Sequence, residues 1–454
     1  MIFDKTIVAP ATAPGQSGVG IIRVSGSAVI KVIEKFLRIS MKPRFAHYTS
    51  FSDITGKILD YGIALFFPAP FSFTGEDILE FHGHGNSVLL DLLMKNILLI
   101  KNVRIARPGE FSERAFLNNK MDLVQAEGIN DLINAQSELS IQASLRSLNG
   151  DFSKKIRDII SLLKKLYARI EAVINFPDEI NESSLISDIR ICLSDAIYLM
   201  KKLIFKGCQG NLLYNGISIV ITGPTNVGKS SLFNYLSNQK ISIVTNIPGT
   251  TRDVMCKNIW INGARYELVD TAGLRKSNDV IELIGIKLAK KNIQSCRHIF
   301  LILDASQDKY SNNILVKKYI DGLRKNQNIT IIFNKIDLIH KKPCLDIVFN
   351  QFKCIYLSIK YKMGINFLKD RMHEISSELN AGEDVFLARN RHLSALKASL
   401  KYLKHGKEWL NKNLCIELFS EDVRLAIEAM LTITGNFSSS DLLEKIFSDF
   451  CIGK

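Results

Sequence analysis

The spacing of apolar residues changes along the chain and divides it into four stretches. Residues 1–118 carry short apolar runs that end in glycine turns, which indicates strands, with a helical stretch between them. Residues 119–215 and 377–454 place apolar residues at helical spacing. Residues 216–376 alternate β-branched runs with helical stretches, which is typical of a doubly wound parallel sheet.

These stretches predict three domains, close to the prior of roughly 150 residues per domain. Residues 1–118 form an N-terminal α/β domain. Residues 119–215 and 377–454 form two parts of one helical bundle, and the α/β domain 216–376 is inserted between them, since exposed connections of a bundle tolerate insertion. Pro177 interrupts the first helical part and joins long helices there. The residues at helical spacing include Leu123, Ala126, Ile129, Leu132 and Ile133, then Ile156, Ile159, Ile160, Leu163 and Leu166, and later Leu393, Leu396, Leu400 and Leu403.

Composition narrows the class of protein. No apolar run reaches the roughly 18 residues that a membrane span needs, and the N-terminus lacks the basic-then-apolar layout of a signal peptide. The eight cysteines are scattered without a Cys-x-x-Cys pair, which argues against structural zinc and for a reducing compartment. We therefore expect a cytoplasmic protein that does not act on membranes.

The formal net charge of +14 indicates the kind of partner, because such an excess of positive charge favours a polyanion, nucleic acid above all. The lysines are spread thinly along the chain, so a coding bias toward lysine is the alternative explanation.

A phosphate-binding loop is the strongest chemical signal. Residues 223–230 read Gly-Pro-Thr-Asn-Val-Gly-Lys-Ser and follow the β-branched run 217–221. Backbone N–H groups of such a loop and of the following helix surround the α- and β-phosphates of a nucleotide. Lys229 would reach the β- and γ-phosphates, and the hydroxyl of Ser230 would bind Mg²⁺. An ordinary glycine-rich turn is the alternative.

Two later segments predict the γ-phosphate side of the site. Asp270-Thr271-Ala272-Gly273 ends a strand, where the aspartate would hold Mg²⁺ through water and the Gly273 N–H would meet the γ-phosphate. Residues 245–253 resemble a switch segment, in which Thr251 completes the Mg²⁺ shell when the γ-phosphate is present.

Two more segments predict that the base is guanine. Asp337, in Asn334-Lys335-Ile336-Asp337, can accept both the N1–H and the exocyclic N–H of guanine, a donor pair that adenine lacks. Ser358-Ile359-Lys360 would close over the base. The order of these segments predicts a GTPase. The predicted nucleotide-binding residues are Asn226, Val227, Gly228, Lys229, Ser230, Ser231, Thr245, Asn246, Ile247, Pro248, Gly249, Thr250, Thr251, Asp270, Thr271, Ala272, Gly273, Asn334, Lys335, Ile336, Asp337, Ser358, Ile359 and Lys360.

The catalytic group is less obvious, because Leu274 stands where many GTPases carry a glutamine that orients the attacking water. Glu282, just downstream, is the candidate for that role, and a solvated glutamate on a helix face is the alternative. No arginine stands out as a built-in finger, so we expect a bound monovalent cation to replace its charge. The cation ligands would be Asn226 and oxygens near Thr245, Ile247 and Thr250.

Two polar segments of the N-terminal stretch leave alternatives open. His82 and His84 flank a glycine at the end of a strand, where a turn or small-molecule pocket is favoured over a metal site because one strand offers too few ligands. Residues 107–114 concentrate charged and turn residues, which fits a solvated surface or an anion-accepting pocket.

The chain resembles the tRNA-modification GTPase family MnmE (TrmE), of the TrmE-Era-Septin-like class, over essentially its whole length. The segments that carry the resemblance are the glycine-rich start and residues 80–85, 108–111, 223–231 and 249–253, together with the terminal Cys451-Ile452-Gly453-Lys454. That terminal tetrapeptide after a helical segment is highly specific. The resemblance implies a folate-binding, dimerising N-terminal domain, a helical domain and an inserted K⁺-activated GTPase domain.

The resemblance also implies a reaction. With the FAD-containing flavoprotein MnmG, in a heterotetramer, the family adds a (carboxymethyl)aminomethyl group to C5 of the wobble uridine (U34) of certain tRNAs. The one-carbon unit would come from 5,10-methylenetetrahydrofolate or 5-formyltetrahydrofolate. The chain would form a homodimer through its N-terminal domain, and the GTPase domains would pair when GTP and K⁺ bind.

Residue roles follow from the same resemblance. The implied folate-binding residues are Arg23, Glu80, Lys120 and Lys454. The implied K⁺ ligands are Asn226, Thr245, Ile247 and Thr250, and the Mg²⁺ ligands are Ser230 and Thr251. Glu282 and Cys451 take catalytic roles, although a buried helix-end thiol is the alternative for Cys451. A regulatory GTPase that binds the ribosome or a partner and modifies nothing is the competing function, and it would need neither the folate residues nor Cys451.

Overall fold

The structure, a computed structural model, describes residues 5–175, 182–237, 255–270, 296–323, 327–348, 352–380, 386–411, 416–435, 440–448, 450–451 and 453. The chain divides into two compact units. The first comprises Met1–Asn134, Ser144–Leu203 and Arg391–Lys454, and the second comprises Ala135–Ala143 and Ile204–Asn390. None of the described helices is long and apolar enough to cross a membrane.

The first unit begins with a six-stranded sheet whose strands lie in the order β3-β4-β5-β2-β1-β6. All neighbouring strands run antiparallel except β1 and β6. The strands are β1 (Thr6–Pro10), β2 (Ser17–Ser25), β3 (His47–Ser52), β4 (Ile58–Phe67), β5 (Ile78–Gly85) and β6 (Val103–Ile105), and the helices are α1 (Val29–Phe36), α2 (Ser87–Ile97) and α3 (Glu110–Leu117). Asn86 starts α2 by accepting the N–H groups of Val88 and Leu89.

Four helices follow: α4 (Leu123–Asn134), α5 (Glu138–Leu148), α6 (Asp151–Asn175) and α7 (Glu182–Asn215). The apolar face predicted for α6 is confirmed, since Ile156, Leu163 and Leu166 are fully buried. Pro177, predicted to join long helices, lies outside the described residues.

The second unit contains a seven-stranded sheet in the order β12-β13-β11-β10-β7-β9-β8, parallel except at the two edge pairs. The central strand His298–Asp304 is buried at every position, and Asn328–Asn334 is buried after its first residue, because helices cover both faces of such a sheet. The strands are β7 (Ile217–Thr222), β8 (Met255–Ile261), β9 (Ala264–Asp270), β10 (His298–Asp304), β11 (Asn328–Asn334), β12 (Cys344–Val348) and β13 (Phe352–Tyr356), and the helices are α8 (Lys229–Ser237), α9 (Lys309–Asp321) and α10 (Ile365–Asn380).

The chain then returns to the first unit with α11 (Asn390–Asn411), α12 (Ile416–Thr434) and α13 (Ser440–Ser448). An N-terminal α/β domain, a helical domain and a doubly wound GTPase-like sheet are therefore present, and the predicted fold class is confirmed.

The apolar face predicted for α4 is partly wrong. Ile133 is 41% exposed, whereas Glu127 on the same helix is buried. The carboxylate of Glu127 accepts Nη2 of Arg391 at 3.0 Å and lies 2.6 Å from Nε2 of His392. A polar contact between α4 and α11 is thus buried on the same helix as the apolar residues Leu123 and Ala126.

Arg114, predicted to belong to a solvated surface or an anion-accepting pocket, is in fact 1% exposed and paired within the protein. Its Nη1 donates to Glu76 Oε2 at 2.9 Å, and its Nη2 donates to Glu110 Oε1 at 3.0 Å and to the carbonyl of Lys5 at 2.9 Å. Glu110 also accepts from Arg104 at 2.7 Å. Removing one partner of such a buried pair is costly, about 3–5 kcal/mol, because the other charge is left unpaired.

The pKa of Glu110 reflects this network. Burial by itself raises the pKa, but the hydrogen bonds from Arg104, Arg107 and Arg114 outweigh it and lower the pKa of Glu110 to about 2. For the neighbouring Glu113, burial dominates and the pKa is raised.

We expect the first unit to lose stability as the pH falls from about 4.5 toward about 2. A carboxylate with a lowered folded pKa stabilises the fold above its unfolded pKa, and that contribution, up to about 3 kcal/mol, disappears on protonation. Glu110→Gln should remove this part of the pH dependence. Urea unfolding from about pH 6 to about pH 3 measures it, with Trp409 as the probe in a Trp260→Phe background that leaves a single tryptophan.

Glu113→Gln is the matched control. The folded pKa of Glu113 is raised, so its effect on stability has the opposite pH dependence, and replacing it should not relieve the acid sensitivity. An unchanged acid slope in Glu110→Gln would contradict the assignment.

Candidate functional site

The phosphate loop lies between β7 and α8, at the carboxyl edge of the parallel strands where ligands of such sheets bind. Gly223 has φ +143°, and a Cβ there would lie 2.1 Å from the carbonyl oxygen of Ile302 on the neighbouring strand β10. Only glycine fits this position. The Nζ of Lys229 donates to the carbonyl of Gly223 at 3.0 Å and also to that of Pro224. The ammonium group is therefore held at the mouth of the loop, next to the backbone that a phosphate would contact.

Asn334 connects the phosphate loop to the segment predicted to close over the base. Its Nδ2 donates to the carbonyl of Val227 at 2.8 Å, and its Oδ1 accepts the N–H of Ile359 at 3.0 Å. Gly228 lies so close that a Cβ would be 2.4 Å from the Asn334 Nδ2. One buried amide thus fixes the spacing of two loops.

Asp337 lies on a short 3₁₀ helix, Ile336–Ile339, at the end of β11. The hydroxyl of Ser358 donates to its Oδ1 at 2.6 Å and so orients the carboxylate. Lys335 has φ +67° and its Nζ lies 2.6 Å from Asp304 Oδ2. Burial raises the pKa of Asp304, but hydrogen bonds, above all that from Lys335, lower it overall, so the carboxylate stays charged.

These residues line one cleft of about 650 Å³. The cleft brings together predicted residues from three segments, and Asn226, with φ +60°, faces it from the phosphate loop. Sequence reasoning missed Asn234, Tyr235 and Leu338. No motif marks them, although the first two follow the loop at one-turn spacing on α8. The lining residues are Asn226, Gly228, Ser231, Asn234, Tyr235, Asn334, Lys335, Asp337, Leu338, Ser358, Ile359 and Lys360.

Of the remaining predicted nucleotide-site residues, Ser230 is exposed in the first turn of α8. Asp270 ends β9, and its backbone is paired with Ile221 beside the phosphate loop. The predicted residues Thr245, Asn246, Ile247, Pro248, Gly249, Thr250, Thr251, Thr271, Ala272, Gly273 and Glu282 lie outside the described residues, as does Lys454.

A second polar cluster lies on the N-terminal sheet, where Arg23 on β2 stands opposite Glu80 on β5. The Nε of Arg23 donates to Glu80 Oε1 at 2.7 Å, and His82 Nε2 lies 3.0 Å from Glu80 Oε2. The guanidinium carbon lies 5.6 Å from the ring centroid of Phe73 and 5.8 Å from that of Phe111. Burial raises the pKa of Glu80, but the hydrogen bonds from His82 and Arg23 lower it overall. Arg23 and Glu80 thus form a charged pair beside two aromatic rings, and both groups can make paired hydrogen bonds to a ligand.

The two histidines of this segment have different partners. His82 contacts Glu80, whereas His84 Nδ1 lies 2.7 Å from Asp60 Oδ1. Within the described part of the chain, no group of three histidine, cysteine or acidic side chains is arranged to hold a metal ion. Phe73 and Phe111 were missed as site residues, although Phe111 lies in the quoted segment 108–111.

Lys120 and the C-terminal segment lie in the same unit as this cluster. Lys120 is exposed, and a Cβ on Gly75 would lie 3.1 Å from its Cε, so it flanks the loop that carries Phe73. The N–H of Gly109 donates to the carbonyl of Cys451 at 3.4 Å, and a Cβ on Gly453 would meet the carbonyl oxygen of Pro10 at 2.0 Å. The C-terminal segment is thus packed against the N-terminal domain, and Cys451 is exposed as a free thiol.

Comparisons with known proteins agree with this arrangement. Residues 6–120 match the family model described as the GTP-binding protein TrmE N-terminus, and residues 123–451 match the MnmE helical domain. The tRNA modification GTPase MnmE of Buchnera aphidicola subsp. Cinara cedri is 60% identical over 454 residues, covering 100% of both chains. That of Haemophilus ducreyi is 45% identical over 455 residues, again covering 100% of both.

Among solved structures, the cytosolic domain of the T. maritima FeoB iron transporter in a GDP form aligns with 48% of this chain and 98% of its own, at 18% identity and a TM-score of 0.27. The full-length matches decide the question: the chain belongs to the tRNA modification GTPase family MnmE, and it is a GTPase of the tRNA modification pathway.

Proposed function

We propose that this chain is a K⁺-activated GTPase that works with the flavoprotein MnmG, in a heterotetramer, to add a (carboxymethyl)aminomethyl group to C5 of U34 in certain tRNAs. The observation that carries the proposal is the packing of the C-terminal segment on the N-terminal domain, through Gly109 and Gly453. A chain built only to switch with GTP needs no such contact near a cluster of Arg23 and Glu80.

In the nucleotide cleft, Lys229 and the loop N–H groups would bind the phosphates of GTP, and Asp337 would accept two N–H groups of guanine. Ser230 and Thr251 would hold Mg²⁺, and Asp270 would hold it through water. The exposed hydroxyl of Ser230 at the start of α8 suits a hard cation that prefers oxygen ligands. Mg²⁺ supplies positive charge against the phosphates.

The K⁺ proposal rests on Asn226. Asn226 has a left-handed backbone conformation in the phosphate loop and lines the nucleotide cleft. The oxygen of its side-chain amide is the kind of ligand that K⁺ binds. Thr245, Ile247 and Thr250 would complete the set, and Glu282 would orient the attacking water in place of Leu274. The two GTPase domains of a dimer would pair when GTP and K⁺ bind, and GTP hydrolysis would then drive the conformational change that the modification needs.

The folate proposal rests on the donor set of the N-terminal cluster. Glu80 is a charged acceptor suited to the N–H groups of a pterin, and Arg23, Lys120 and Lys454 are cations suited to the carboxylates of a glutamate tail. Phe73 and Phe111 add rings against which a flat heterocycle packs. The bound 5,10-methylenetetrahydrofolate or 5-formyltetrahydrofolate would supply the one-carbon unit. Cys451, exposed beside this domain, is proposed to take part in the modification.

A homodimer through the N-terminal domain is supported by an apolar sheet face. Tyr48 on β3 stands opposite Ile63 on β4, and Tyr61 lies two residues earlier on the same face. These three side chains are exposed, which is unusual for neighbouring large apolar residues without a partner. We further propose the division into residues 1–118, 119–215, 216–376 and 377–454, a cytoplasmic location, and FAD bound by the partner MnmG.

Asp337→Asn should change the nucleotide preference. The amide can no longer accept two N–H groups from guanine, so GTP affinity should fall by roughly 100-fold or more. Xanthosine triphosphate, which presents a carbonyl in place of the exocyclic amine, should bind the variant better than GTP does. Competition against a fluorescent nucleotide measures both, and Asn234→Ala, in the same cleft, is the matched control. Equal loss for both nucleotides would indicate misfolding of the cleft instead.

Asn226→Ala should abolish the K⁺ response. GTP turnover compared in KCl and NaCl at equal ionic strength should be faster in KCl for the unaltered chain, and the ratio should drop at least about tenfold in the variant. GTP affinity should change little, because the loop N–H groups remain. Equal rates in the two salts for the unaltered chain would refute the K⁺ proposal, and Asn234→Ala should keep the ratio.

Arg23→Ala and Lys120→Ala should each weaken binding of 5-formyltetrahydrofolate by about tenfold or more, since each removes a charge-assisted contact. Arg23→Lys keeps the charge without the planar fork, so it should restore only part of the affinity. Isothermal titration of the full chain measures this, with Lys101→Gln as an exposed-lysine control. Absence of folate binding, or binding indifferent to both substitutions, would favour the regulatory switch.

A further inference from the structure

A basic segment in the N-terminal domain is not used by either site described above. Residues 35–48 contain four lysines and arginines and no aspartate or glutamate. Among the described carboxylates, none lies within 4.0 Å of Lys42 or Arg44. By contrast, Arg23, Arg104 and Arg114 are all paired with glutamates. Lys42 and Arg44 are therefore left available to an external anion.

Aromatic rings accompany these cations. The Arg44 guanidinium carbon lies 5.6 Å from the ring centroid of Phe71, and the Lys42 Nζ lies 5.8 Å from that of Phe45. Phe71 is 71% exposed and Phe45 is 54% exposed. We call these four residues, Lys42, Arg44, Phe45 and Phe71, the Arg44–Phe71 patch.

The patch is held in place by the protein. Arg44 adopts φ +57°, its backbone N–H donates to the carbonyl of Phe66 at 2.8 Å, and its Nη2 donates to the carbonyl of Phe71 at 2.9 Å. The N–H of Lys42 donates to Nε2 of His47 at 2.9 Å. An ordered surface loses less conformational entropy on binding, which favours recognition.

Cations next to exposed aromatic faces match unpaired nucleotides. The cations neutralise the backbone phosphates, and the rings stack on bases that are free of a partner strand. In a duplex the bases are already stacked and paired, so the rings would gain nothing from it. The chemistry therefore selects an RNA loop over a helix, and the basic excess of the chain is the long-range attraction that brings RNA to it.

The position of the patch links it to the Arg23–Glu80 cluster. The loop after β4 carries Phe71, which packs on Arg44, and two residues later Phe73, which packs on Arg23. On β4 itself, Leu65 stands opposite Glu80, and the next residue, Phe66, accepts the N–H of Arg44. A base bound at the patch would thus lie one loop away from the pocket proposed for folate.

We propose that the Arg44–Phe71 patch binds the unpaired anticodon loop of the tRNA substrate and delivers it to the N-terminal pocket. This inference rests on the proposed function, because it takes tRNA to be the substrate. Phe71 and Phe45 stack on loop bases, while Lys42 and Arg44 contact the flanking phosphates.

The test is fluorescence anisotropy of the full chain with a labelled anticodon stem-loop RNA and with a fully paired RNA duplex of equal length. Phe71→Ala should weaken stem-loop binding by about tenfold and leave duplex binding nearly unchanged. Lys42→Gln should weaken binding of both RNAs. The slope of log affinity against log salt concentration should fall by the amount expected for about one phosphate contact. Arg44→Lys should keep the salt dependence and lose part of the loop preference. Tyr310→Ala, an exposed tyrosine in the second unit, is the matched control.

Several outcomes would overturn the inference. Stem-loop binding unaffected by Phe71→Ala, or equal affinity for loop and duplex, would remove the stacking role. If the patch variants change the mass of the protein in light scattering but leave RNA binding unchanged, the patch is a protein interface. Binding to phosphatidylglycerol vesicles that these variants lose, with RNA binding intact, would make it a lipid surface.

The same proteins separate this inference from the proposed function. The patch variants should keep 5-formyltetrahydrofolate affinity and the KCl-to-NaCl ratio of GTP turnover, which also shows that they are folded. Loss of loop selectivity with both of these intact supports the inference. An unaltered chain that binds folate and responds to K⁺ but ignores the stem-loop overturns the inference alone, whereas one that binds no folate overturns the proposed function.

Discussion

The two hydrogen bonds of the Asn334 side chain are the contact on which the nucleotide cleft depends. The amide offers a donor and an acceptor at fixed spacing, so it can bind the carbonyl of Val227 and the N–H of Ile359 at the same time. These partners belong to the loops that follow β7 and β13, with Asn334 at the end of β11 between them. The loops predicted to bind the phosphates and to close over the base are therefore held in one geometry by a single buried side chain, and the Ser358–Asp337 contact completes it.

In the first unit a buried charge has the corresponding role. Arg114 lies on α3 and connects that helix to the loop after β4 through Glu76 and to the start of β1 through the carbonyl of Lys5, while Glu110 on the same helix pairs with its charge. That loop carries Phe73 toward Arg23 and Phe71 toward Arg44. The polar cluster proposed to bind folate and the patch proposed to bind RNA thus share one structural support, which gives a physical reason for their being side by side.

The described cations differ in whether a glutamate pairs with them. Arg23, Arg104 and Arg114 lie in hydrogen-bonding distance of glutamates, so they contribute little to the field outside the protein. Lys42 and Arg44 are exposed and stacked on rings, so they express the positive excess of the chain at its surface. Net charge alone predicted a polyanionic partner; the pairing pattern indicates where it would bind.

The sequence by itself determined the fold class and predicted the phosphate loop and the guanine-binding segments, because these depend on local spacing: β-branched runs, glycines at close approaches, and short motifs at strand ends. The tertiary structure decided which polar residues are buried and with what. Arg23 meets Glu80 across 57 positions and Glu127 meets His392 across 265, so no local pattern reveals them. The spacing of α4 likewise predicted Ile133 inside, but Ile133 is exposed and Glu127 is buried against partners on a helix that is distant in the sequence.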